Sequence, residues 1–153
     1  LGLAKVKKTP PKLALGDIKP VADDKTLEAL IAHRYEIMAG YAAGMQRAFQ
    51  QEMAALKARA VDTAVVKAAD RWLHRDEDKV PAEAAPQLAQ ARAASPVLDT
   101  MVTMREELRQ LWLNTSLSRE QLIADLQAWC RRAEESGIAA LQEFSLKLRM
   151  ARA

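Results

Sequence analysis

Apolar residues recur every three or four positions through two long tracts that contain no proline, and a chain patterned in this way must fold as helices packed on one another. In the first tract Leu27, Ile31, Met38, Tyr41, Met45 and Ala48 fall at steps of three, four or seven, while Leu30, Ile37, Phe49, Met53 and Leu56 widen the stripe. That spacing marks one face of a helix and not the alternation of a strand, so the face needs other helices to cover it. Asp23 and Asp24 offer N-cap oxygens and the pattern begins near Thr26. Val61, Val65, Ala69, Trp72 and Leu73 continue it. Either one very long helix runs to His74 or a break falls between Arg59 and Thr63, and periodicity leaves both open.

The second tract carries sharper punctuation. Ser95 is placed to cap a helix with Pro96 at its first position, and Val97, Leu98, Met101, Leu108, Leu111 and Trp112 draw its apolar face. Ser118 with Gln121 predicts a capping box for a second helix through Leu122, Ile123, Leu126, Trp129, Cys130 and Ala133. Gly137 stands where that helix should end in a left-handed residue, before a last helix with Ile138, Leu141, Phe144 and Leu148. The predicted fold class is all-α. An extended basic leader (1–23) precedes a long helix, open to a break near 60 (24–78). An alanine- and proline-rich linker with a short helix at Gln87 to Ala93 (79–95) leads to an antiparallel three-helix arrangement (96–153) centred on Trp112, Trp129 and Phe144.

The net charge of +3 belongs to the leader. Lys5, Lys7, Lys8, Lys12 and Lys19 face only Asp17 there, while the remaining basic and acidic residues nearly cancel. Lys5, Lys7, Lys8 and Lys12 are therefore the candidate contacts to an anionic surface, each contributing roughly 1 kcal/mol near an acidic bilayer. No basic helical face stands out in the body, so no nucleic-acid partner is expected from it. A membrane span is excluded by the charge-free runs: the longest, Ile37 to Gln46, has ten residues, against the roughly 20 a helix needs to cross a bilayer. Gly40 and Gly44 within it read as incidental. The start at Leu1 reads as a cut inside something longer.

Catalytic and metal constellations do not assemble. His33 and His74 lie far apart, and His33 with Glu36 and Asp70 with His74 read as solvated helix pairs. Cys130, the one cysteine, excludes an internal disulfide and reads as a small buried apolar residue. No catalytic, cofactor-binding or metal residue is predicted.

Two families are resembled. The opening Leu1-Gly2-Leu3-Ala4-Lys5-Val6-Lys7-Lys8, with Thr9-Pro10-Pro11-Lys12-Leu13 behind it, resembles the segment after the last membrane-associated helix of bacterial acyl-lipid or acyl-CoA fatty acid desaturases. Thr26-Leu27-Glu28-Ala29, His33 to Met38, Met104 to Leu108, Asp125 to Cys130 and Ser136 to Leu141 resemble the C-terminal extension of some proteobacterial members. That family removes hydrogens from acyl chains at an iron pair held in histidine boxes, which this chain does not contain. The resemblance therefore implies a non-catalytic appendage of lipid metabolism with an interaction or regulatory role. Its leader would lie on the cytoplasmic side of the inner membrane, its helices would be free for a protein partner or self-association, and di-iron would sit only in a core outside this chain. The closing sixty or so residues also resemble a segment of insertion-sequence transposases that precedes the last acidic catalytic residue, which implies a DNA-associated fragment as the alternative. A free-standing helical scaffold in the cytoplasm is the third reading.

Overall fold

The computed structural model describes residues 24–114 and 116–149. They form seven α-helices: α1 (Asp24–Ala32), α2 (Arg34–Ala58), α3 (Thr63–Trp72), α4 (Ala85–Ala94), α5 (Pro96–Leu113), α6 (Arg119–Glu135) and α7 (Ala139–Arg149). Two single 3-10 turns, Glu77–Lys79 and Ala82–Ala84, lie between α3 and α4. No strand occurs among the described residues, and the all-α expectation holds. The leader with Lys5, Lys7, Lys8 and Lys12 lies outside the described residues.

The break near residue 60 is present. The chain turns at Ala60, whose φ of 60° is left-handed, a conformation that costs an L-residue with a Cβ about 1–2 kcal/mol. Backbone bonds from Ala60 N–H to the Lys57 carbonyl (3.0 Å) and from Val61 N–H to the Leu56 carbonyl (3.1 Å) close the end of α2. Asp62 then restarts the chain as α3, its Oδ1 accepting from Ala64 N–H at 2.9 Å. A milder interruption at His33 separates α1 from α2, although backbone bonds run through it on both sides.

Local signals in the C-terminal half translate directly. Ser118 Oγ accepts from Gln121 N–H at 3.0 Å, but the Gln121 amide turns to Asp125 Oδ1 at 2.7 Å, so the capping box is half made. Gly137 takes φ 75°, ending the turn after α6 as its position predicts. Within 79–95, α4 buries Leu88 and Ala91 and packs on α3 and α5. Ser95 joins three elements: its Oγ accepts from Leu98 N–H at 3.0 Å to cap α5 and donates to Glu52 Oε1 of α2 at 2.6 Å. Ser95→Ala is expected to lower stability by about 1–2 kcal/mol, because it removes both the cap and the partner of a part-buried carboxylate. The urea midpoint, read at unchanged m-value, checks it.

Tertiary packing puts α2 at the centre. It lies against α3, α5 and α7, so the C-terminal helices close around it and not only on each other. Trp129 is fully buried, and its ring meets those of Tyr41 (6.2 Å between centroids) and Phe144 (5.7 Å) edge-on. Trp112, predicted at this centre, is instead half-buried near the end of α5, and its Nε1–H donates no hydrogen bond among the described residues. Tyr41 holds the place because it arrives on α2, which the three-helix expectation left out. The Tyr41 hydroxyl donates to the Met101 carbonyl at 2.6 Å and Trp129 Nε1–H donates to the Met104 carbonyl at 2.8 Å, fastening α5 from two sides. Burial pushes the Tyr41 phenol pKa well above its ordinary value, and the Arg105 charge offsets this only in part. Burial likewise pushes the Cys130 thiol pKa up, which suits a packing residue and not a nucleophile.

Candidate functional site

The most distinctive exposed face runs along α3. Lys67, Arg71 and Arg75 are spaced four apart and all exposed, Arg75 lying just past the end of the helix. This spacing places them on one side of the helical path. No carboxylate pairs with any of them among the described residues. Trp72 lies half-buried beside them, with the Arg71 guanidinium 5.0 Å and the Arg75 guanidinium 5.7 Å from its ring centroid. Arg75 Nε also donates to the Arg71 carbonyl at 3.0 Å, which continues the stripe past the last helical turn. The stripe thus presents three positive charges and an aromatic ring to solvent on a rigid element.

This stripe is hidden in the sequence because Arg75 stands in the mixed run Arg75-Asp76-Glu77-Asp78-Lys79, where opposite charges look ready to cancel. The fold sends Asp76 and Asp78 elsewhere. Asp76 Oδ1 accepts from Arg105 at 2.6 Å and lies 3.5 Å from Arg109, and Asp78 lies 3.4 Å from Arg109. Glu106 completes the group with an ion pair to Arg109 at 2.8 Å. Burial by itself would raise the Asp76 pKa, but the hydrogen bond and charge of Arg105, then Arg109 and Lys79, outweigh it and hold the carboxyl below its ordinary value. These pairs clamp the turn after α3 onto α5 and leave Arg75 facing outward. The expectation that the body has no basic helical face is therefore corrected.

A cleft opens on each side of this segment. One, of about 450 Å³, lies between α2, the end of α3 and α5, with Asp70 and His74 on its wall. The other, of about 610 Å³, is bordered by Trp72, Arg75, Pro81, Leu88 and Arg92. Arg92 is occupied there by Asp99 (2.6 Å) and Thr103 (2.7 Å).

The remaining sequence candidates stay as solvated pairs and do not assemble into a larger constellation. His33 Nδ1 lies 3.5 Å from Glu36 on an exposed turn, and Asp70 and His74 are both exposed. Among the described residues no group of three or more His, Cys, Asp and Glu gathers where a metal ion could be held. Nor is any helix among them long and apolar enough to cross a membrane. Gly40 and Gly44 border a groove of about 260 Å³ beside α7, and a Cβ at either would meet nothing within 4 Å, so neither permits a close helix approach inside this chain.

Fold and face together define an all-helical architecture among the described residues, with a cationic, aromatic-bearing surface on α3. The chain belongs to a transposase family: residues 25–153 match the DDE transposases of the ISL3 type. Comparisons with curated proteins and with solved structures found no match. The family match covers the same helices that carried the likeness to fatty acid desaturases and overturns it, together with the lipid-metabolism and oxidoreductase reading and the role as a desaturase appendage. That likeness rested on stretches such as Thr26 to Met38 and Asp125 to Cys130, amphipathic helices whose periodic pattern is common to many unrelated helical proteins. The transposase likeness, which the sequence shows in its closing third, extends over nearly the whole described region.

Proposed function

We propose that this chain is a helical part of a transposase that holds DNA through the α3 face. The observation that carries this reading is the set of three exposed, unpaired cations, Lys67, Arg71 and Arg75, flanking Trp72 on a chain of the transposase family. Cations free of carboxylate partners displace condensed counterions from a phosphate backbone, which makes binding favourable and salt-dependent. An indole beside them offers a surface on which a base or sugar can pack. Asp76, Asp78 and Glu106 engage arginines, so the reading assigns DNA contact to the α3 face and no phosphoryl-transfer role to these three carboxylates. Lys5, Lys7, Lys8 and Lys12 join the same proposal as added phosphate contacts, with the protein acting in the cytoplasm where the DNA lies.

Titration of labelled duplex DNA by fluorescence anisotropy at several salt concentrations tests this. In the triple variant Lys67→Ala, Arg71→Ala, Arg75→Ala the slope of log K against log salt should flatten by roughly 0.9 for each phosphate no longer neutralised. Helicity should be unchanged, since all three side chains are exposed. An unaltered slope and affinity would remove the α3 face from the reading.

A further inference from the structure

The cleft of about 450 Å³ beside the stripe has the chemistry of a nucleobase site. Its volume lies in the range of pockets that hold small organic groups. Its floor is mostly apolar, with Tyr41, Met45 and Met101 beside Arg105, whose guanidinium is engaged by Asp76, and the Phe49 and His74 rings on its wall stand perpendicular with centroids 5.7 Å apart. Gln46, Gln50 and Asp70 complete the rim. None of these three side chains makes a hydrogen bond or ion pair among the described residues, and all three are exposed. The rim therefore offers unspent donors and acceptors above a mostly apolar floor and an aromatic corner on which a flat heterocycle can stack.

The neighbouring charges select among flat heterocycles. Asp70 and His74 on the cleft wall stand three positions after the stripe cations Lys67 and Arg71, about one helical turn on. A sugar-phosphate strand following Lys67, Arg71 and Arg75 would pass the mouth of the cleft and could place one base in it. From this geometry we infer that the cleft accepts an unpaired base of single-stranded DNA, and one that carries an exocyclic amino group. The Asp70 carboxylate is an acceptor only, so it takes an exocyclic N–H from cytosine, adenine or guanine, whereas an unpaired thymine offers only its N3–H, set between two carbonyl oxygens that repel the carboxylate. The glutamine amides can meet the ring nitrogens and carbonyls of the same base. This inference rests on the DNA-contact reading of the α3 face and adds the state of the DNA and the class of base.

The test compares labelled oligodeoxycytidine and oligothymidine of equal length on the full chain at one salt concentration. Cytidine strands should bind about tenfold tighter, the factor one base-edge contact supplies. Asp70→Asn, whose amide can also donate to a thymine oxygen, should reduce that ratio to under about twofold, and Gln50→Ala should reduce it in part. Both positions are exposed, and circular dichroism should show the fold intact. Equal binding of the two strands, or a preference that survives Asp70→Asn, would overturn the cleft while leaving the stripe. Absence of binding to any DNA would overturn both. The triple alanine variant of the stripe should weaken both oligonucleotides alike without changing their ratio, which separates the two assignments.

Discussion

Arg149→Met is expected to destabilise the protein by about 3–5 kcal/mol, an exceptional loss for a single side chain. The Arg149 side chain is 4% exposed and its partner Glu134 8%. Arg149 Nε donates to Glu134 Oε2 at 2.7 Å and a terminal guanidinium nitrogen reaches Oε1 at 3.3 Å, a two-pronged contact between α7 and α6. Ser145 donates to the same carboxylate at 2.7 Å and also reaches the Cys130 carbonyl at 3.2 Å. Removing the arginine leaves a desolvated carboxylate with one hydroxyl donor, and the cost is that of an unpaired buried charge and not that of the pair itself. The double variant Arg149→Met, Glu134→Leu should therefore recover most of the stability. Urea unfolding of the single and double variants decides it. A single variant as stable as the parent, or a double variant worse than the single, would contradict this account.

Trp129→Ala carries the second large effect, about 3–5 kcal/mol. Trp129 is 0% exposed, and two rings rest against it while its Nε1–H holds the Met104 carbonyl. Tyr41 and Phe144 also meet each other edge-on at 5.1 Å, so the three rings form one closed contact joining α2, α6 and α7. An alanine there opens a cavity that rings held on three helices cannot collapse into, which places the effect at the upper end of large-to-small substitutions. Trp129→Phe should keep most of the contact area and cost less, chiefly the hydrogen bond and the part of the indole that is not replaced. Near-ultraviolet circular dichroism with the urea midpoint measures both. Retention of the parent midpoint by Trp129→Ala would show that the ring cluster is not the centre of stability.

Much of the fold was legible because helix signals act within one turn. The Ser95-Pro96 start of α5, the Ser118 cap of α6 and the Gly137 turn each depend on atoms no more than four residues away, and each appears where the sequence places it. The apolar faces were legible for the same reason: Leu126, Trp129, Cys130 and Ala133 are buried together, as their spacing requires. The break after Ala58 was not decidable, because Ala60 adopts a left-handed conformation without being a glycine. Nor could the pattern show which helix supplies the third ring of the core. Trp112 and Tyr41 both sit on apolar faces, and only the docking of α2 against α5 and α7 chose Tyr41.

What the amino-acid sequence determined by itself, then, is the set of helices, where most of them begin and end, and which side of each is apolar. Those outcomes follow from hydrogen bonds and side-chain spacings confined to a turn or two of chain. Tertiary structure alone decided which charges remain free. Asp76 is drawn to Arg105 across 29 positions, Glu134 to Arg149 across 15, and Ser95 to Glu52 across 43. Coulombic attraction depends on distance in space and not along the chain. Lys67, Arg71 and Arg75 became a face without ion-pair partners once packing had carried Asp76 and Asp78 to the arginines of α5.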